Sequence, residues 1–238
     1  MKCLKKRAWA QQKPTKDLLK KRRAIEVGHS EAWLTLGKGT FHFENLSFLR
    51  RSLTWFFRLL NVLERGEKNA LDIQVNPVRF EFENLPKAFD GYKILHLSDL
   101  HIDGLAGLTE TICGKIQGLE YDLCLLSGDY RFEIYGPFHN VAHHMGILID
   151  AIEAPDGIIG ILGNHDFLEA SNILENFGVN MLINQAVPIE RGDDCLWMVG
   201  LDDPHYYGCD DLPGALRTVP ESAFKVLAVH SPELYSEA

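Results

Sequence analysis

Four short strings carry side chains able to hold metal ions: SDLHID at 98–103, SGDY at 127–130, GNHD at 163–166 and VHSPE at 229–233. Each closes or follows an apolar run that reads as a buried strand. Asp99 and His101 are two residues apart, so on an extended segment both would face one side and one ion. Asp129 follows Gly128, which permits close approach of backbone to a site. Asn164 and His165 follow Gly163, and His230 ends FKVLAVH. Carboxylate oxygen combined with neutral imidazole suits Mn, Fe, Zn or similar divalent ions. A shared carboxylate, here Asp129, would offset the repulsion of two cations roughly 3.5–4 Å apart. The amide oxygen of Asn164 adds a donor without adding charge. Taken singly each string is weak, since a D-x-H tripeptide arises by chance, Gly-Asp is usually a turn, and a lone histidine is usually structural. The specificity lies in all four, in this order, at the ends of apolar runs.

The elements that must position them follow from hydrophobic pattern. YKILHLS (92–98), YDLCLLS (121–127), GIIGILG (157–163), CLWMVGL (195–201) and FKVLAVH (224–230) read as strands, with a short one in VNMLINQ (179–185). Helical patterns near 107–119, 137–153 and 167–177 alternate with them, which predicts an α/β domain with largely buried sheets. In such folds ligands gather beyond the carboxyl ends of strands, where the four strings lie. DIQVNPVRFEF (72–82) alternates like a strand, with Pro77 marking an edge or a break.

The chain divides into a basic N-terminal extension, 1–70, and a domain over 71–238. Residues 1–65 carry 15 Lys/Arg against 5 Asp/Glu, and the remainder carries 9 against 28. The acidic domain argues against a nucleic-acid groove and suits a site that collects cations. Residues 1–30 read as a solvated, weakly helical tail or as an electrostatic tether. Residues 46–64 read as an amphipathic helix, with Leu46, Leu49, Leu53, Phe56, Phe57, Leu60 and Leu63 on one face and Arg50, Arg51 and Arg58 towards the other. Two placements suit it: docked on the domain or a partner chain, or lying in a membrane interface. Five scattered cysteines without a CxxC pair point to a reducing, cytoplasmic compartment, and the basic start lacks the apolar stretch of a signal peptide. No run of about 18 apolar residues suggests a membrane span.

The ordered set D-x-H, G-D, G-N-H-D and H resembles the calcineurin-like metallophosphoesterase family over roughly residues 90–238. GYKILHLSDLHID and GLDDP look closest to its YkuE/YaeI-like branch. The resemblance implies a two-sheet β-sandwich flanked by helices, incomplete at the C-terminus and preceded by the basic helical extension. It implies two divalent metal ions, with Asp99 and His101 on the first, Asp129 bridging, and Asn164 and His230 on the second. His165 would donate a proton to the leaving group, with Asp166 orienting its ring and favouring the charged form. The family pattern continues with G-H-x-H, whereas this sequence ends eight residues after His230. Truncation is the expected reason, and a chain so truncated would bind metal more weakly and turn over slowly.

The implied activity is metal-dependent phosphoester hydrolysis by a phosphodiesterase or phosphatase, on a substrate that the basic amphipathic start suggests is lipid-derived. GDYRFE and GNHD depart from the DRG and GNHE of protein Ser/Thr phosphatases. A non-catalytic scaffold of this fold would have little need for metal donors at every strand end. Further candidates are Arg131, as a phosphate contact or a surface arginine, and Asp203, His205 and Tyr206 in a loop at the pocket mouth or in a plain connection. His139, His143 and His144 are expected to face solvent.

Overall fold

The structure, a computed structural model, describes residues 16–34, 47–60, 62–133 and 137–236. Three helices come first, α1 (Lys16–Leu34), α2 (Ser47–Leu59) and α3 (Leu63–Leu71). A parallel sheet follows, in the order β1 (Ile94–Leu97), β2 (Leu123–Leu126), β3 (Ile158–Gly160) and β4 (Asn180–Met181). Its crossovers are α4 (Leu108–Ile116), α5 (His139–Ala151) and α6 (Leu168–Phe177). A second sheet has the order β5 (Gln185–Arg191), β6 (Asp194–Gly200) and β7 (Phe224–Ala228), with α7 (Leu212–Leu216) between β6 and β7. β5 and β6 are antiparallel, and β6 and β7 parallel.

Strand parity builds the layers. In β2, Leu123 and Leu125 point to one face and Cys124 and Leu126 to the other. The first pair joins Ile159, Ile161, Val187, Ile189, Leu196 and Met198 in a core between the two sheets. The second pair packs with Ile112, Met145, Leu148 and Leu174 of the crossover helices. Val199 and Ala186 face outward from the second sheet onto Ala215 of α7. The result is the expected α/β arrangement of two packed sheets flanked by helices.

Several expectations change. The strand pattern at 72–82 pairs with no strand among the described residues, and Val75, Val78, Phe80 and Phe82 are exposed. Alternation alone does not make a strand when no ladder partner lies alongside. β5 was not expected, because Pro188 interrupts its pattern. The strand lies at a sheet edge, where a missing N–H costs no ladder bond. The helix expected over 46–64 ends at Leu59 and α3 begins at Leu63. Among the described residues, Leu53, Trp55, Phe56, Phe57 and Leu59 of α2, and Leu60 just after it, are each more than two-fifths exposed, so this part of the apolar face is not buried on the domain. Within the expected solvated, weakly helical tail, α1 is helical and its described side chains are exposed or half-buried except Arg22, which is wholly buried; residues 1–15 lie outside the described residues. Among the described residues, no helix is long and apolar enough to cross a membrane.

Candidate metal centre

The loops after β1 and β2 run side by side beyond the sheet. Asp99 N–H donates to the Gly128 carbonyl (3.1 Å), His101 N–H to that of Asp129 (3.0 Å) and Ile102 N–H to that of Tyr130 (3.0 Å). This path is not extended. Asp99, His101 and Asp129 have φ of 51°, 39° and 57°, three of the four non-glycine residues with positive φ among those described. Pleated alternation therefore does not aim Asp99 and His101; left-handed turns do. Each such residue costs of order 1–3 kcal/mol and persists where its surroundings over-determine it, commonly at functional sites. Asp and His are among the side chains that tolerate this region.

Two glycines allow the GNHD turn to meet the SGDY turn. A Cβ on Gly128 would lie 2.4 Å from the Gly163 nitrogen, and one on Gly163 would lie 2.2 Å from Asp129 Oδ1. Asp166, fully buried, secures the junction. Its carboxylate accepts the N–H groups of Asp129 (2.7 Å), Tyr130 (3.0 Å) and Gly163 (2.9 Å). Burial, and then the charge of Asp129, push this carboxyl up to about 6, while the three N–H groups draw it down. Asp166 does not reach the His165 ring. Its oxygens are taken by backbone, and His165 is oriented instead by the Phe132 carbonyl.

The three site histidines share one arrangement. Nδ1 of His101 donates to the Arg131 carbonyl (2.7 Å), that of His165 to Phe132 (2.9 Å) and that of His230 to Ser127 (2.9 Å). A carbonyl can only accept, so each Nδ1 carries the proton. In the neutral rings each Nε2 keeps a lone pair, as a metal ligand with a backbone partner requires. All three Nε2 atoms converge on the buried Asp129. His230 Nε2 lies 3.6 Å from Oδ1, and those of His101 and His165 lie 3.8 and 4.0 Å from Oδ2. His230 Nε2 is also 3.0 Å from the amide oxygen of Asn164. With Nδ1 protonated these are two acceptors facing each other, which a proton or a cation between them would relieve.

The donors form two groups that share Asp129, and the ligand atoms within each lie within 4.8 Å of one another. One is His101, Asp129 and His165; the other is Asp99, Asp129 and His230. Asp99, whose carboxylate also accepts the Ser98 hydroxyl, thus groups with His230 rather than with His101. By chemistry and spacing both groups fit a divalent cation.

The remaining candidates fall elsewhere. Arg131 is buried rather than on the surface. Asp203 is buried too, its carboxylate accepting Tyr206 N–H (2.6 Å), Tyr207 N–H (2.9 Å) and the Ser231 hydroxyl (2.8 Å), so it supports the residue next to His230 rather than lining a mouth. Tyr206 is half-buried, and His205 is exposed and paired with Glu233. His139 and His143 are exposed, but His144 is half-buried and its Nδ1 bonds Thr109 Oγ1 at 2.8 Å, tying α5 to α4. Sequence reading missed His96, whose Nε2 bonds the buried Ser127 hydroxyl at 2.7 Å; a histidine inside an apolar strand was the available signal.

Comparison with known proteins agrees with this geometry. A family model described as calcineurin-like phosphoesterase matches residues 92–218, 127 of the 238. The uncharacterized metallophosphoesterase YkoQ of Bacillus subtilis is 23% identical over 181 residues, covering 72% of this chain and 65% of its own length. YkuE of the same organism, also an uncharacterized metallophosphoesterase, is 27% identical over 158 residues, covering 63% and 54%. A Danio rerio transmembrane protein with metallophosphoesterase domain is 22% identical over 178 residues, covering 71% and 38%. The matched region thus spans less than two thirds of the length of each of these relatives.

Proposed function

The chain belongs to the calcineurin-like phosphoesterase family, and on that premise we propose that it is a phosphoester hydrolase of the YkuE-like branch built around two divalent ions. One observation carries the reading: three imidazole Nε2 atoms, each with its Nδ1 proton given to a backbone carbonyl, converge on the buried Asp129 carboxylate. Asp99, His101, Asn164 and His230 would hold the ions, with Asp129 offering its carboxylate to both groups of donors. When bound, such ions supply charge to bind phosphoryl oxygens and lower the pKa of water. His165, fixed by the Phe132 carbonyl, presents Nε2 at the edge of the site and in its charged form delivers a proton to the leaving oxygen, a step worth typically about 10²–10⁴-fold. Asp166 serves this reaction through the backbone of Asp129, Tyr130 and Gly163.

A second role for His165, as a ligand, is favoured by its place in the group with His101 and Asp129. His165→Ala separates the two. As a proton donor its loss leaves the metal content unchanged and abolishes most turnover of a poor leaving group; as a ligand its loss lowers the metal content. The function itself is tested by Mn²⁺ binding and Mn²⁺-dependent hydrolysis of bis-p-nitrophenyl phosphate. Mn²⁺ affinity unaltered by Asp129→Asn and by His230→Ala would remove the proposal. Strong binding without hydrolysis would favour a scaffold.

For substrate class, we propose a phosphoester with an apolar tail, met at an anionic membrane surface. An open cleft of about 480 Å³ beside the His101–Gly104 turn is lined by Phe57, Val62, Leu63, Ala70 and Leu105, with Glu67 as its one charged residue. The exposed aromatic and leucine side chains of α2, within a basic extension, suit such a surface.

A further inference from the structure

Arg22 lies on α1, in a segment whose charge pattern reads as a solvated tail, yet it is wholly buried. Its guanidinium stacks 3.2 Å from the centroid of the Tyr207 ring. Its donors run in three directions: Nε to Glu26 Oε1 (3.0 Å), Nη1 to Asp202 Oδ1 (2.5 Å) and Nη2 to the Asp166 carbonyl (2.6 Å). Burying a cation carries a large desolvation cost, so attachment of a tail does not by itself account for it. The planar fork matches divergent acceptors that an ammonium could not serve together.

Both far ends of this fork lead to the metal centre. Asp166 holds the N–H groups of Asp129, Tyr130 and Gly163. Asp202 accepts the N–H of Asp203 (2.9 Å), whose carboxylate holds the Ser231 hydroxyl beside His230. The first path belongs to the turns beyond β2 and β3, and the second to the loops beyond β6 and β7. Glu26 adds a third tie: its Oε1 accepts Leu168 N–H (2.9 Å) at the start of α6, immediately after the GNHD turn.

We propose that α1 is an intrachain clamp on the metal centre and that Arg22 is its positioning residue, setting Asp129 and His230 at the separation that divalent cations require. The proposal rests on the metal-centre reading. Cation affinity then depends on the seating of a helix outside the matched family region.

The test measures Mn²⁺ affinity by electron paramagnetic resonance, and the visible spectrum of the Co²⁺ form, on the full chain at a temperature where near-ultraviolet circular dichroism shows each variant folded. Arg22→Met is expected to weaken Mn²⁺ binding at least tenfold, within the range for outer partners of metal ligands, and to shift the Co²⁺ bands. Lys21→Ala removes only the bond from α1 to the Gly208 carbonyl and is expected to stay within twofold of the parent. A purely structural Arg22 would lower the melting temperature and leave affinity and spectrum of the folded protein alone, which overturns the proposal. If Arg22→Met does not fold, Arg22→Lys carries the same reading, with an expected loss of at least threefold and parental affinity as the overturning result. Failure of the parent itself to bind Mn²⁺ would instead remove the metal-centre reading.

Discussion

Gly128 and Gly157 have the same backbone angle, φ +97°, but different surroundings. A Cβ at Gly157 meets nothing within 4 Å, whereas one at Gly128 lies 2.4 Å from the Gly163 nitrogen and 2.7 Å from its Cα. Alanine in a left-handed conformation costs roughly 1–2 kcal/mol, and this should be the whole effect of Gly157→Ala. Gly128→Ala adds an overlap with backbone that cannot rotate away, and overpacking of this kind costs typically about 1–3 kcal/mol. The expected totals are about 1–2 and about 2–5 kcal/mol. With a urea slope of about 2 kcal/mol/M, the two midpoints should differ by about 0.5–1.5 M. The overlap also forces apart the turns bearing Asp129 and Asn164, so Mn²⁺ affinity should fall in Gly128→Ala and hold in Gly157→Ala. Equal midpoints, or equal affinities in the two variants, would refute the claim that contact between the two glycine turns builds the site.

Asp166→Asn leaves at least one of three buried N–H groups facing an amide donor. The expected loss is about 1–2 kcal/mol in chemical denaturation, the low end of the range because the ionised carboxylate itself carries a desolvation cost; unchanged stability would show that those N–H groups have other acceptors. Burial pushes the Cys124 thiol up to about 12, so it should resist a disulfide reagent until the protein unfolds. Labelling at the rate of an exposed thiol would place it outside the core. Trp55 is 65% exposed and Phe56 50%. Anionic vesicles should shift Trp55 fluorescence to the blue, and Trp55→Ala with Phe56→Ala should weaken vesicle binding at least tenfold, since each ring contributes about 1.5–3 kcal/mol of burial. No shift, or no effect of the double substitution, would count against membrane contact through α2.

Read alone, the sequence determined which residues stand at the ends of apolar runs and in what order. Those features are local: a buried strand is a short apolar run, and a turn announces itself by Gly, Asn and Asp. The strands β1, β2, β3, β6 and β7 and the helices α4, α5 and α6 were legible for that reason, as were the residues that gather around Asp129. Elements whose fate depends on distant partners were not. The alternating stretch 72–82 looks like a strand but has no ladder alongside, and β5 hides its strand character behind Pro188 because only an edge position forgives the missing N–H. Only the tertiary structure decided how Asp99, His101 and Asp129 are aimed, since left-handed backbone at three acidic and imidazole residues is sustained by bonds between separate loops. It alone decided the protonation of the ring nitrogens, through carbonyls of other segments, and the use of Asp166 on backbone rather than on His165. Arg22 shows the limit most clearly. In the sequence it is one of 15 basic residues before position 66, and its role comes from bonds to Asp166 and Asp202, 144 and 180 residues away, which no local pattern encodes.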